Sequence, residues 1–167
     1  MIREQVVWQG NTFDVTWAPG PAMPSGEVTQ ASALCFTADG LIVLVSEDGR
    51  AWNLPGGHPE LHEHPDEALV REVLEEACAA VLGHQYLGAQ RVRDERGVTF
   101  SQLRYWARVD LLTFEPRFET RFRRCVTPAE FSRVLAWGQT RMATTVLEAG
   151  LNAEQVFTAK SRSGITG

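Results

Sequence analysis

The stretch from Pro65 to Val81 constrains the fold more than any other part of the chain. On a wheel turning about 100° per residue, Leu69, Val70, Val73, Leu74, Ala77, Ala80 and Val81 share one side. Such a side is stable only when it is buried against another layer. Glu72, Glu75 and Glu76 fall on the opposite side, with Arg71 beside Glu75. Pro65 suits the first helical position, and Asp66 and Glu67 suit the positive end of the helix dipole. The pattern predicts a helix over 65–81 that stops at Gly83.

The surface to receive that helix comes from short apolar runs. Ala31 to Phe36 and Leu41 to Val45 are separated by Ala38-Asp39-Gly40. Leu41 to Val45 is apolar throughout, which predicts a strand covered on both faces. Tyr86 to Arg93 and Val98 to Val109 read as strands around Glu95-Arg96-Gly97, and Phe118 to Val126 as one more. Near the N-terminus, Val6 to Trp8 and Phe13, Val15 and Trp17 flank a Gln9-Gly10-Asn11 turn, the pattern of a hairpin. Thr127-Pro128-Ala129-Glu130 is a capping box that starts a helix running to about Trp137, with Gly138 as its stop. Thr140 to Ala149 reads as another helix, stopped by Gly150. Strands and helices are mixed without regular alternation, so the class is α+β. The 167 residues fit one principal domain, 28–157, preceded by a hairpin and linker, 1–27, and followed by a polar, frayed tail, 158–167. The hairpin either packs in cis or forms a homodimer contact.

Charge and cysteine usage narrow the partners. The net charge of −5 argues against long nucleic acid and anionic membrane, while leaving room for one small phosphorylated ligand. No apolar run approaches the ~20 residues of a membrane span, and the first residues lack a signal-peptide core. Three cysteines without a C-x-x-C pair point to a reducing, cytoplasmic setting.

The acidic face is the chemical signal. Like charges at i, i+3 and i+4 repel by about 0.2–0.5 kcal/mol per pair, so three glutamates there oppose helix stability. A solvated acidic face is the plain alternative. A divalent cation among the three explains them better, and oxygen-only ligands point to Mg²⁺ or Mn²⁺. Gly56-Gly57 lets a ligand or ion approach the backbone closely. Glu63 is placed to pair with Arg71.

Gly57, five residues, Glu63, seven residues and then Arg71-Glu72-Val73-Leu74-Glu75-Glu76 resembles the box of the Nudix hydrolases. Six charged or glycine positions match without a gap; at ~7% per residue type, chance matches in this length are on the order of 10⁻⁵ or rarer. Trp52-Asn53-Leu54-Pro55-Gly56 is similar to the strand and turn that lead into that box. Cys78 departs from the pattern, standing where the box has its second glycine. Ordinary helical geometry on to Gly83, or an altered exit, would follow.

The resemblance implies an α/β/α sandwich with a mixed, partly antiparallel sheet. It implies metal-dependent hydrolysis of a diphosphate (P–O–P) linkage in a small nucleotide or nucleoside-diphosphate derivative. Glu72 and Glu76 become the principal metal ligands, with Glu75 assisting and the Gly56 carbonyl as a further ligand. Arg71 and Glu63 become the orienting pair. The general base is a box glutamate or an acid of a later loop, where Glu115 and Glu119 lie; Glu119 is the favoured one. The proline and tyrosine that mark the ADP-ribose and dinucleoside-polyphosphate groups are missing from Asp94-Glu95-Arg96-Gly97. A non-catalytic nucleotide sensor on the same fold and an unrelated acidic structural domain are the competing readings.

Other residues have plainer readings beside their functional ones. His58, His62 and His64 could form a zinc site, contact substrate phosphate or simply be exposed. Trp52, Phe100, Tyr105 and Trp106 could stack on a base or fill the core. Arg91, Arg93, Arg104 and Arg108 lie on predicted strands, where at least one could reach a phosphate.

Overall fold

The computed structural model describes residues 1–164. Eight strands and three helices follow in the order β1 (Arg3–Trp8), β2 (Asn11–Pro19), β3 (Val28–Phe36), β4 (Ile42–Ser46), β5 (Gly56–Gly57), α1 (Pro65–Ala77), β6 (Ala79–Arg93), β7 (Thr99–Leu111), β8 (Phe122–Val126), α2 (Pro128–Val134) and α3 (Arg141–Ser163). The sheet order is β1-β2-β6-β7-β3-β4-β8, with β5 on the edge of β3. Only β3 and β7 run parallel; the other pairs are antiparallel. The N-terminal hairpin packs in cis, extending the sheet through β2 and β6 from Asp14↔Arg93 to Pro19↔Gly88.

The sheet separates two apolar layers. Ala31, Ala33, Cys35, Leu103 and Tyr105 face α1, through its Leu69, Val73 and Ala77. Leu34, Phe36 and Trp106 face the other way, toward Phe131 of α2 and Val146 of α3. All of β4 is buried, as its unbroken apolar run predicts.

Besides β6, which begins at Ala79 rather than Tyr86, and α2, which ends at Val134 short of Trp137, four features differ from the sequence reading. The first is α1, which ends at Ala77 rather than Val81. Cys78 takes a left-handed conformation (φ 49°, ψ 48°), and its N–H donates to the Leu74 carbonyl. The cysteine thus adopts the backbone shape that favours glycine, and Ala80 and Val81 belong to β6. The second is the sheet-facing stripe of α1, which is narrower than expected: Val70 and Leu74 are exposed. The third is β8, which starts only at Phe122, leaving 118–121 irregular. The fourth is Gly150, which does not stop a helix. It lies buried inside α3, where an added Cβ would come within 3.0 Å of a Leu34 methyl. The missing side chain lets α3 lie close on β3. The helix then runs on through Thr158–Ser163, where a frayed tail was expected; residues 165–167 of that tail lie outside the described residues.

A non-glycine residue in the left-handed region costs about 1–2 kcal/mol. Cys78→Gly should therefore stabilise the fold by about 1 kcal/mol. Chemical denaturation checks this; no gain would mean that the weak contacts of Sγ with Glu115, at 3.5–3.6 Å, outweigh the strain.

Candidate active site

The site assembles where β5 meets α1. Gly56 and Gly57 pair with Ser32 and Ala31 of β3. A Cβ on Gly56 would overlap the backbone of Ala31 and Ser32. A Cβ on Gly57 would fall 2.5–2.7 Å from the Glu72 carboxylate. Both glycines therefore let β5 slide between β3 and the acidic helix face. Gly57→Ala should displace Glu72 while leaving the fold intact, because a terminal carboxylate can swing aside. We expect turnover to fall at least about tenfold with little change in melting temperature; unchanged turnover would remove Glu72 from the site.

The loop before α1 is tied down by charge. Arg71 Nε and Nη2 donate to Glu63 at 2.8 and 2.9 Å, and Nη1 donates to Glu72 at 2.9 Å and Glu75 at 3.2 Å. The Arg71 guanidinium, helped by the Glu60 N–H, holds the Glu63 carboxyl down at about 2. Glu63 first, and then Glu72, raise the Arg71 pKa in turn. Among the described residues, Arg71 is the one cation paired with these acids, so it organises them and partly neutralises them.

Glu76 stands apart. Its carboxylate accepts the Gly56 N–H at 3.1 Å and, among the described residues, has no cationic partner. Burial pushes its carboxyl up to about 7, reinforced by Glu72, Glu119 and Glu47 and opposed by the Gly56 hydrogen bond. The structure thus brings Glu72, Glu76 and Glu119 into one electrostatic neighbourhood. It adds Glu47, which the sequence reading did not single out. Glu115, by contrast, turns to Arg117 at 2.7 Å on the surface.

The loop that carries Glu119 is clamped to the end of α1. Thr120 Oγ1 donates to the Glu76 carbonyl at 2.6 Å. Arg123 Nη1 donates to the carbonyls of Ala77, Cys78 and Leu112 at 2.8, 3.2 and 2.9 Å. These contacts satisfy orphan carbonyls of a helix with no basic residue in its own last turn. Nothing local in the sequence marks Thr120 or Arg123, which act across more than forty residues.

The histidines do not converge. His64 caps α1, its Nδ1 accepting the Asp66 N–H, and His58 Nδ1 lies 2.7 Å from the Pro59 carbonyl. Tyr105 and Trp106 are buried in the two core layers, whereas Trp52 and Phe100 are only partly buried. Of the four arginines, Arg104 and Arg108 are buried; Arg108 pairs with Glu154 of α3 and the Thr37 carbonyl. Arg91 and Arg93 are exposed along a cleft shared with Arg3 and Asp14.

Among the described residues, no three carboxylate, imidazole or thiolate groups stand together closely enough to hold an ion as arranged. Three of the box glutamates, Glu63, Glu72 and Glu75, are instead turned to Arg71. The donor chemistry nonetheless fits a hard cation. All the acids offer oxygen, Glu76 is half-buried without a positive partner among the described residues, and the missing Cβ of Gly57 lets the Glu72 carboxylate lie against the β5 backbone.

A family model described as the NUDIX domain matches residues 26–149. The fold is similar to that of the pyrophosphohydrolase BsRppH from Bacillus subtilis, at TM-score 0.74 and 22% identity over 92% of this chain and 98% of that one. It is similar also to a NUDIX hydrolase from Nitrosomonas europaea (TM-score 0.60, 22% identity, 77% and 90% covered). A MutT NUDIX hydrolase from Burkholderia pseudomallei is a third (TM-score 0.53, 21% identity, 74% and 98% covered). At these identities the likeness is one of fold. No curated protein sequence matches the chain.

Proposed function

The chain belongs to the Nudix family of hydrolases, and from that premise we propose that it hydrolyses the diphosphate linkage of a small nucleotide or nucleoside-diphosphate derivative with a divalent cation. The observation that carries this reading is Glu76. A carboxyl that is half-buried and desolvated, lacks a cationic partner among the described residues and sits near three other acids is costly unless a cation joins it. Glu72 and Glu76, assisted by Glu75 and the Gly56 carbonyl, would hold Mg²⁺ or Mn²⁺. Such an ion neutralises clustered phosphate charge and lowers the pKa of bound water.

This chain's own residues do the rest. Arg71 and Glu63 fix the loop before the helix and so set where Glu72 and Glu75 start. Gly56 and Gly57 seat β5 between β3 and the acidic helix face, which sets the backbone beside Glu72 and Glu76. Glu119 takes the proton from the attacking water as general base, its loop held in place by Thr120 and Arg123. The three cysteines are free, and among the described residues no helix is long and apolar enough to cross a membrane. A cytoplasmic setting is consistent with these thiols.

The test is phosphate and pyrophosphate release from nucleoside triphosphates, nucleotide sugars, ADP-ribose and dinucleoside polyphosphates, with Mg²⁺ or Mn²⁺ and with chelator. Chelator-sensitive turnover is expected. Tight binding of one compound without turnover would make the protein a sensor instead.

A further inference from the structure

Arg104 is 4% exposed, yet no carboxylate pairs with it among the described residues. Its Nε donates to Gln90 Oε1. Nη1 donates to Gln30 Oε1 at 2.8 Å and Ser32 Oγ at 2.7 Å, and Nη2 donates to Gln102 Oε1 at 2.9 Å. Trp137 lies over the guanidinium at 5.6 Å. Burial without a counter-ion pulls the Arg104 pKa down to about 9. For stability alone, a glutamate at any of the three glutamine positions would serve this cation better.

The arrangement has one consequence for a ligand. A guanidinium only donates, so each glutamine must give Arg104 its oxygen. All three amide NH₂ groups are thereby turned away from it. Among the described residues, none of these NH₂ groups donates to a protein acceptor, and none belongs to the buried polar atoms left without a partner. Each therefore keeps an uncommitted donor within reach of solvent, Gln90 least, since that residue is only 7% exposed, and the three are arrayed across the adjacent strands β3, β7 and β6. The array lies on the sheet face that carries α2 and α3, and it meets the acids of α1 through the edge where β3 pairs with β5. Ser32, which holds Arg104, pairs with Gly56, whose N–H holds Glu76. Trp137 follows Ala136, whose N–H donates to the Trp52 carbonyl at the head of the segment leading to Gly56.

We propose that Gln30, Gln90 and Gln102, oriented by Arg104, form the base-recognition site of the substrate and select an oxo base, guanine or uracil. This deepens the nucleotide-hydrolase reading and rests on it. Guanine presents adjacent O6 and N7 acceptors, and uracil presents carbonyl oxygens. Adenine and cytosine each place an amino group at the corresponding edge, where it would meet the glutamine donors head-on. Arg104 acts by positioning: it holds the amides and need not touch the base.

The test is isothermal titration of the whole protein, in chelator so that nothing turns over, with GTP, UTP, ATP, CTP and inorganic tripolyphosphate. GTP or UTP should bind at least about tenfold more tightly than ATP and CTP, and than tripolyphosphate. Gln102→Glu replaces one outward donor by an acceptor and gives Arg104 a counter-ion. It should keep or raise the melting temperature and reduce the preference to about threefold or less. Equal binding of all four nucleotides, or an unchanged preference in Gln102→Glu, overturns the proposal. Tripolyphosphate binding as tightly as GTP overturns it too, in favour of a phosphate site. In each of these cases chelator-sensitive turnover would leave the hydrolase reading standing. No binding and no turnover of any phosphorylated probe would remove both.

Discussion

Exchange of Glu76 for glutamine should lower kcat by at least about a hundredfold, since even groups that only support a metal ligand are worth 10–100-fold. It should also make the metal-free protein more stable at pH 8. The two effects have one cause. In the folded protein the Glu76 carboxyl is pushed up to about 7, from an ordinary 4.5. A group raised on folding binds its proton more tightly in the native state. Its stabilisation is complete below about pH 4.5 and is lost as the pH rises through about 7. The loss at pH 8 is on the order of 3 kcal/mol at most. Glu63 moves the other way, held down at about 2, so its contribution disappears only under strong acid and leaves this window untouched. Melting temperatures of the metal-free wild type should fall from pH 5 to pH 8, and Glu76→Gln should flatten that slope. Mg²⁺ or Mn²⁺ should raise the wild type more at pH 8 than at pH 5 and leave Glu76→Gln nearly unmoved. A mutant that keeps its kcat would remove Glu76 from the metal site. A mutant with an unchanged pH slope would show that the desolvated carboxyl is not a source of strain.

The residues that could be read from the sequence are those whose partners lie within a few turns. Gly57, Glu63, Arg71, Glu72, Glu75 and Glu76 sit on one loop and one helix, where periodicity alone gathers the acids on a face. The Arg71–Glu63 pair follows from the same spacing. The capping box at Thr127 and Glu130 is equally local and is present as expected. The end of α1 was not legible, because it is decided by residues far along the chain. Arg123, from β8, takes the carbonyls that would otherwise ask for a longer helix or a glycine. With that cation in place a cysteine can occupy the left-handed position. Gly150 misleads for a related reason: a helix interior that must approach Leu34 needs a small residue as much as a helix stop does. Glu47 and the Arg104 network are non-local too, brought together by strand order that no single stretch of sequence encodes.

The general base is the other place where one atom should carry a large effect. Glu119→Gln should lower kcat by about 10²–10⁴-fold with KM changed little, because the lost group acts only on the attacking water. Glu115→Gln is the matched control. Glu115 is on the same loop and, like Glu119, exposed, but it is bound to Arg117 and is not among the acids that raise the Glu76 pKa, so its loss should change kcat by no more than about threefold. Glu47 is the rival, since it also raises the Glu76 pKa. If Glu47→Gln produced the large loss and Glu119→Gln did not, the base would lie on the β4 side of the site. A second readout separates chemistry from disruption. Glu119 helps to raise the Glu76 pKa, so removing its charge should shift the metal-free titration of Glu76 downward. A folded Glu119→Gln protein that shows this shift and has lost turnover would have lost a base, whereas one that shows no shift would place Glu119 too far away to serve as one. Thr120→Val should then reproduce part of the kcat loss, because it frees the loop from the Glu76 carbonyl while leaving the Glu119 carboxylate present.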